Sequence, residues 1–384
     1  MSIRTAFRLS HAPIAGLMAV GIFWGGFAAY IPDFKVRIGA SDAELGLALI
    51  GSAAGGMVAM YLAPRLTQTL GRMMLPVAAL LLAIALAYPL LAGSVPAFAL
   101  ALAGMGASVS MLDIGSNMRL SDLEERHGLH LMNLNHAMFS FAFAGAALAA
   151  SLARRSGWPP EWLFPFLAVG ILLLILPMIE RAGWHVAPPA PDGAGHDGLW
   201  GAVLPVAAIL FLAFVCENAT DSWSALHIER TLGGPAGDGG FGPMMLGLTM
   251  GIGRLSGQFA AQRLGEAGLI FWSAVVGVLG AIAIAAAPTP LTAILGVGLM
   301  GLGVAVVVPS ANSILGKMVR PDQRGYAISR AWMVGFTGFF IGPTLMGQVA
   351  EWAGLRAAFA GVAVLMAVML PIARAVGRRD ASQR

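Results

Sequence analysis

Long apolar stretches, separated by short polar or Gly/Pro-containing breaks, run through the whole chain. Twelve of them are long enough to cross a bilayer as a helix, which takes about 20 residues. They cover residues 12–32, 43–64, 73–92, 95–120, 129–153, 160–180, 200–224, 241–263, 267–288, 290–315, 325–350 and 355–376. A membrane β-barrel would instead alternate apolar and polar positions in strands of about 10 residues. The pattern therefore predicts an all-α membrane protein with twelve transmembrane helices.

The composition supports a polytopic membrane protein. Of the 384 residues, 58% are hydrophobic and 11% are charged, whereas soluble domains are about 25% charged. A soluble fold could not cover this much apolar surface, and nucleic acid is not an expected partner. The single cysteine, Cys216, excludes a disulfide framework and a zinc-ribbon site. The stretch from Pro13 has no small-residue cleavage site followed by a soluble domain, so we expect no cleavable signal peptide.

The distribution of Lys and Arg predicts the orientation. If the N-terminus is inside, the inner segments hold fifteen of these residues and the outer segments hold six. Cytoplasmic loops carry an excess of Lys and Arg, so both termini are expected in the cytoplasm, in a bacterial inner membrane. The outer pair Arg154-Arg155 runs against this trend.

The chain divides near its midpoint. Residues 182–199 are rich in Pro and Gly and predict a cytoplasmic linker, with six spans on each side. Leu45-Gly46-Leu47 opens the second span and Leu246-Gly247-Leu248 opens the eighth, which indicates a repeat of the two halves. We therefore expect an N-terminal bundle over 1–181 and a C-terminal bundle over 200–384, related by pseudo-symmetry.

Charged residues are unevenly distributed among the spans. A charge at mid-bilayer costs about 2.5–3.5 kcal/mol even on the most lenient scale, so it should face protein or a watery cavity. Spans three and nine carry no charge, and spans six and twelve carry charge only near their ends. The distribution predicts that these four spans face lipid while the others line an aqueous cavity, mainly spans one, four, seven and ten.

Asp113 in span four and His136 in span five are the first candidates for chemistry. They lie at similar distances on either side of a charged break at 121–128, which puts both on the order of 12 Å inside one membrane face if the two helices are adjacent and antiparallel. An acid and an imidazole at one depth predict a proton-coupled site. The alternatives are a buried acid that holds two helices together and a neutral histidine that bonds across helices. Asn117, Asn133 and Ser140 are the polar neighbours expected to bind a solute.

Three further ionisable residues lie in spans seven and eight. Glu217 and Asp221 are spaced i, i+4 and share one helical face with Asn218. Glu217 is a candidate for proton coupling, Asp221 for gating and Asn218 for solute binding. Arg254 either extends to the membrane surface or pairs across the two halves with Asp113 or a neighbour and gates the cytoplasmic side. The two acids have no oxygen-rich cluster around them in the sequence, so a metal site is not expected.

The remaining candidates lie in spans one, ten and eleven. Asp33, at the outer end of span one, is either a solvated helix end or a proton-coupling acid. Solute-binding candidates that are aromatic or polar are Trp24, Tyr30, Asn312 and Trp332. No Gly-Lys-Ser/Thr phosphate loop is present, so ATP-driven transport is unsupported and no cofactor is expected.

These motifs together resemble the major facilitator superfamily over the whole chain. The segment Arg65-Leu-Thr-Gln-Thr-Leu-Gly71-Arg72 is similar to the family's loop between spans two and three, although Pro64 stands where its acid is expected. Within the superfamily the chain resembles the fucose–proton symporter branch, and three segments carry that likeness: 112–117, 136–140 and 217–224. Phe23-Trp-Gly25 with Ile31-Pro-Asp33, and the pair Gly342-Pro343, add to it. The resemblance implies a proton-coupling role for Asp113, and for Asp33 only with a one-residue gap. The drug-antiporter Gly-Pro signature is absent from span five.

The sequence thus predicts a secondary transporter that works by alternating access and is not an enzyme. We expect proton-coupled symport of a small polar solute, such as a sugar or polyol, by a monomer whose other partner is membrane lipid. The alternatives are an antiporter that exports drugs or metabolites and a non-transport receptor or scaffold. The short loops leave little surface for a protein partner, which argues against the receptor.

Overall fold

The structure, a computed structural model, describes residues 3–129, 131–180, 199–320 and 323–382. Within these ranges the regular secondary structure is helical, and no strand is present. The α-helices of the described chain are α1 Ile3–Leu9, α2 His11–Arg37, α3 Asp42–Leu70, α4 Met74–Ala85, α5 Val95–His127, α6 Met132–Arg155, α7 Pro160–Met178, α8 Trp200–Leu226, α9 Phe241–Ala285, α10 Pro290–Val304, α11 Val307–Met318, α12 Arg324–Phe336 and α13 Gly338–Ser382.

Nine helical ranges among the described residues are long and apolar enough to cross a membrane. Two of them, Asp42–Leu91 with 50 residues and Arg324–Arg379 with 56, would be about 75–85 Å long at 1.5 Å per residue, more than twice a bilayer core. Both ranges are interrupted by a glycine with positive φ, Gly71 at 50° and Gly354 at 82°. The all-α membrane fold is confirmed, while the number of twelve crossings stays a prediction.

The charged break between the two apolar runs, residues 121–128, is helical for most of its length, because α5 continues through it to His127. Asp122 accepts a hydrogen bond from Arg126 one turn later, at 2.7 Å, and also pairs with Arg119. Pairs at this spacing stabilise a helix. The helix ends at Gly128, whose φ of 61° is readily adopted without a Cβ atom.

The helices form two sets of neighbours. Helices α2–α7 pack mainly against one another, and so do α8–α13, while α6 on α9 and α3 on α13 are the principal contacts between the sets. We call residues 3–180 the first segment and residues 199–382 the second segment. The predicted linker at 182–199 lies outside the described residues except for Leu199. Division into two bundles at these boundaries therefore stays a prediction.

Exposed apolar side chains show which surfaces can face lipid. Large hydrophobic residues are exposed along α4, α7, the part of α9 after Gly265 and the part of α13 after Gly354. These helices correspond to predicted spans three, six, nine and twelve. Helices α3 and α10 also expose large hydrophobic residues, so the assignment of these four spans to the lipid-facing positions stays a prediction.

A buried cation joins the two segments at the end of the bundle where α2 ends, which we call the Arg154 end. The Arg154 guanidinium lies 2.5 Å from the Asp33 carboxylate and donates to Glu229 at 3.0 Å. Only 4% of the Arg154 side chain is exposed. Glu229 also accepts from the backbone N–H groups of Gly237 and Gly239, at 3.0 Å each. The acids on both sides of the interface are thus held by one arginine.

A second group of contacts closes the same end. Asp42, at the start of α3, accepts from Arg230 of the second segment at 2.6 Å and lies 3.3 Å from Lys35. The backbone N–H of Asp42 donates to Glu351 of α13 at 2.8 Å. These contacts tie α3 to the second segment, so the two segments are closed against each other at the Arg154 end.

At the opposite end, which we call the Arg119 end, ion pairs join residues of the same segment. Arg119 pairs with Glu180 at 2.7 Å in the first segment, and Lys317 lies 3.6 Å from Glu266 in the second segment. Among the described residues, the ion pairs that cross between the segments therefore belong to the Arg154 end.

Replacing Arg154 with alanine is expected to lower the free energy of unfolding by about 3–5 kcal/mol, because two acids would then lose their buried partner. The measurement is the thermal unfolding midpoint of purified protein in detergent. The matched control is Arg126→Ala, which removes an exposed pair with Asp122 and should change stability by about 0–1 kcal/mol. Equal effects of the two substitutions would contradict the inference that the buried pairs of Arg154 stabilise the protein.

Candidate functional site

A hydrogen-bonded link joins the predicted proton-coupling residues of α5 and α6. The Asn117 amide nitrogen donates to the backbone carbonyl of Asp113 at 2.9 Å, and its oxygen lies 3.1 Å from His136 Nε2. With this amide assignment, His136 carries a proton on Nε2 and donates to Asn117. Asn117 therefore links His136 to the turn of α5 that carries Asp113, through the Asp113 backbone and not through its carboxylate.

The expectation that α5 and α6 lie side by side is wrong in its detail. Helix α6 packs chiefly against α2 and α9, and α5 packs chiefly against α3 and α4. The side chains of Asn117 and His136 span the space between α5 and α6. A gap lined by polar side chains is the arrangement expected of a cavity wall.

Arg254 of α9 crosses between the segments at this level. Its Nη1 atom donates to Ser140 Oγ at 2.6 Å and to the His136 carbonyl at 3.2 Å, both on α6. Its Nη2 atom lies 3.9 Å from Glu217 of α8. The side chain is 15% exposed, so Arg254 points into the protein and does not extend to the membrane surface.

Close packing of α9 on α6 allows this contact. A Cβ atom at Gly247 would lie 2.9 Å from the Ser140 carbonyl oxygen and 2.6 Å from the Phe143 ring. Those distances are below van der Waals contact, so the absence of a side chain at Gly247 permits the two helices to approach. Arg254 lies two turns along α9 and reaches the same face of α6.

One face of α8 is polar and partly exposed. Glu217, Asn218 and Asp221 are partly exposed, whereas residues 212–216, 219–220 and 222–226 around them are buried. Asn218 accepts a hydrogen bond from Ser222 at 3.4 Å. Because α8 is packed by other helices on its remaining faces, this polar stripe faces the interior of the protein.

We call the residues that make these contacts, together with Asp221 one turn beyond Glu217 on α8, the central cluster. It consists of Asp113, Asn117, His136, Ser140, Glu217, Asn218, Asp221 and Arg254. The cluster holds three carboxylates, one guanidinium and one imidazole, with amide and hydroxyl groups between them. Such groups can bind a polar solute by hydrogen bonds and can accept a proton at a carboxylate.

Asn312 and Trp332 lie in the second segment beside aromatic side chains. The Trp332 indole N–H donates to Asn312 Oδ1 at 2.9 Å. The Trp332 ring centroid lies 5.4 Å from that of Phe214, which lies 4.7 Å from that of Phe339. Phe214 precedes Glu217 by less than one turn of α8. We call Phe214, Trp332 and Phe339 the aromatic wall.

Besides Asn312 and Trp332, four predicted site residues lie outside the central cluster. Asp33 belongs to the Arg154 end, where it pairs with Arg154. Tyr30 is fully buried, and its hydroxyl donates to the Trp158 carbonyl at 2.9 Å, so it presents no surface to a solute here. Trp24 contacts Phe23 and Phe27 through its ring. Asn133 lies in the first turn of α6 and is partly exposed.

Sequence reasoning missed the acids that pair with the outer arginines. Arg154 is an exception to the charge bias of the loops, and that exception is the signal that could have pointed to a buried partner. Glu229 is the partner of Arg154, and Asp42 is the partner of Arg230. Asn135, which is fully buried and donates to Ser10 at 3.0 Å, also carries no distinctive signal in the sequence.

The chain matches the family model described as Major Facilitator Superfamily over residues 14–299 and 259–384. It is 28% identical over 365 residues to an uncharacterized MFS-type transporter of Yersinia pestis, with 93% of each chain covered. It is 27% identical to the membrane protein MosC of Rhizobium meliloti, with 87% of this chain and 82% of that protein covered. The likeness to the fucose–proton symporter branch is not specifically confirmed.

Solved structures show the same fold at low sequence identity. The nucleoside transporter NupG superimposes with a TM-score of 0.71 at 15% identity, and the match covers 97% of this chain and 98% of its own. A bacterial homolog of the human lysosomal transporter Spinster, in an inward-facing and occupied conformation, gives a TM-score of 0.70 at 13% identity, with 98% of each chain covered.

The contact of Arg254 with Ser140 can be measured by a double-mutant cycle. We expect Arg254→Met and Ser140→Ala to show a coupling energy of about 1–2 kcal/mol in unfolding. Either substitution alone removes the same hydrogen bond to a charged group, so the double variant loses nothing further from that bond. The control cycle combines Arg254→Met with Ser256→Ala, since Ser256 bonds to the carbonyl of Ile252 within α9 at 2.9 Å. That cycle should be additive within about 0.5 kcal/mol. Additivity in both cycles would show that Arg254 does not hold α6.

Proposed function

The chain belongs to the major facilitator superfamily of membrane transporters, and on that premise we propose that it moves a small polar solute, a sugar or similar polyol, together with protons. Members of this family are transporters and not enzymes, and they bind small solutes. The protein is accordingly a multi-pass membrane protein. The proposal adds symport, the solute class and the residues that couple the two.

The observation that carries the proposal is the set of polar contacts that runs from the turn of α5 bearing Asp113 to Arg254. In the first segment Asn117 bonds to the Asp113 backbone carbonyl and to His136, and Arg254 of the second segment contacts α6 one turn from His136. Asp113 and Arg254 carry opposite charges within the same cluster, so protonation of Asp113 would weaken the attraction between them. Proton binding in one segment is thereby coupled to a contact between the segments.

The proposed cycle uses this coupling. Asp113 takes a proton, and the solute binds between the segments through the amides and hydroxyl of the central cluster. The attraction between Asp113 and Arg254 then weakens, because a protonated acid no longer bears a charge. Arg254 separates from Ser140 as the two bundles rock. The contacts of the Arg154 end open in the other half of the cycle. A site at the interface of two repeats fits this kind of motion.

The proposal also covers topology. The excess of Lys and Arg at the Arg119 end favours a cytoplasmic position for that end and for both termini. The relatives from Yersinia pestis and Rhizobium meliloti are bacterial proteins, which supports a bacterial inner membrane. Two six-helix bundles, joined by the linker at 182–199 in a monomer, complete the proposed architecture.

Asp113→Asn is expected to abolish accumulation of the solute driven by a proton gradient in vesicles, because asparagine cannot release a proton. Exchange of labelled for unlabelled solute at equal pH should continue near the wild-type rate, since the solute groups remain. The control is Glu125→Gln, an exposed acid near the end of α5, which should leave both activities unchanged. Gradient-driven accumulation by Asp113→Asn would contradict the assignment.

The direction of coupling separates symport from export. With a symporter, an inward proton gradient drives solute into right-side-out vesicles. An antiporter of drugs or metabolites would instead expel the solute under the same gradient, which would overturn the proposed direction.

A further inference from the structure

We propose that the transported solute carries one positive charge, an ammonium or similar group, which pairs with Asp221. This inference rests on the proposed transport function and names the class of solute for the same central cluster. It follows from the balance of charges in the cluster and from the aromatic wall beside it.

The three carboxylates of the cluster outnumber its one guanidinium, that of Arg254. Arg254 faces Glu217 at 3.9 Å. Asp113 is the proton acceptor of the proposed cycle, so a proton neutralises its charge there; Asn117 bonds to its backbone carbonyl. Asp221 lies one turn beyond Glu217 on the same face of α8, and no cation of the described chain is paired with it.

The Asp221 carboxylate also lacks a neutral partner. Its Oδ1 atom is sealed from solvent and has no hydrogen-bond partner in the described part of the chain. A carboxylate oxygen that is sealed from solvent without a partner is unfavourable, even where the rest of the side chain is partly exposed. Glu217, one turn away, adds a second negative charge instead of relieving the first. A cation supplied by the solute would remove this imbalance.

The aromatic wall is an independent feature that favours the same ligand. The Phe214 ring lies within one turn of Glu217, and Trp332 and Phe339 pack against it. The faces of aromatic rings attract cations, because the ring quadrupole is negative above and below the plane. Trp332 and Phe339 are partly exposed, so ring surface is available around Phe214, which precedes Glu217 by less than one turn of α8.

Other solute charges fit the cluster less well. An anion would lie near Glu217 and Asp221 and would depend on Arg254, whose guanidinium already bonds to Ser140 and the His136 carbonyl. A neutral polyol would bond to the amides but would leave Asp221 without a counter-charge. The cluster is therefore matched to a polar solute with a single cationic group.

The test measures equilibrium binding to the purified full-length protein in detergent, without any proton gradient. Matched probes are D-glucosamine, N-acetyl-D-glucosamine, D-glucose and D-glucuronate, together with the linear pair glucamine and sorbitol. The experiment is run at about pH 6.5, where the amines are protonated. We expect the two amines to raise the unfolding temperature and to bind about tenfold more tightly than their neutral counterparts.

Asp221→Asn should reduce the preference for the amine over the neutral probe by about tenfold, because the negative charge is lost. Asp221→Glu keeps that charge and should keep the preference, and Glu125→Gln is the control at an exposed acid. The unfolding temperature of each variant without a probe reports whether it is folded. If Asp221→Asn does not fold, the inference is tested by the probe panel on the wild-type protein and on Asp221→Glu.

Several results would overturn the inference. These are equal binding of neutral and amine probes, a preference for glucuronate, absence of amine binding, or retention of the amine preference in folded Asp221→Asn. Failure of the proposed function would look different, since it concerns accumulation under a gradient. Accumulation of glucose that requires Asp113, without amine binding, would overturn only the charge of the solute. Amine binding without gradient-driven accumulation would overturn only the proton coupling.

Discussion

The structure depends on how charges are accommodated inside a chain that is otherwise apolar. Each ion within the bilayer must find a partner in the protein or in a wet cavity, because lipid provides neither. Here the partners of Arg154 and Arg254 come from both segments, so satisfying the charges also fixes how the segments meet. Arg154 does so among acids at one end, and Arg254 does so at the middle among a hydroxyl, a carbonyl and an acid.

These two arginines differ in what holds them. Arg154 is enclosed by Asp33 and Glu229, and Glu229 is itself bonded to two backbone N–H groups, so the arrangement is stiff. Arg254 has a longer contact with Glu217 and neutral acceptors on α6. A contact made of neutral acceptors and a loose ion pair is easier to exchange for another. The middle of the interface is therefore the place where a solute or a proton can alter the balance.

Much of the fold could be predicted from the sequence, because an apolar run in lipid has to satisfy its backbone internally and so forms a helix. Asp113, His136, Glu217 and Arg254 stood out for the same reason, since charges are rare in such runs. Hydropathy alone does not predict the extension of α5 to His127, because charged residues interrupt the apolar run there while Asp122 and Arg126 support the helix. Side-chain partners across the interface, such as Glu229 for Arg154, depend on packing between distant residues and could not be predicted from local pattern.

The interrupted helices give the two segments different mechanical properties. In the first segment α2, α3 and α5 are continuous over 27, 29 and 33 residues. In the second segment the chain is broken between α10 and α11 at Ala305–Val306, and between α12 and α13 at Thr337. A continuous helix resists bending, whereas a break acts as a joint. The first segment would then move more nearly as a rigid body. The second segment would bend at its helix breaks and would take up more of the deformation in each transport cycle.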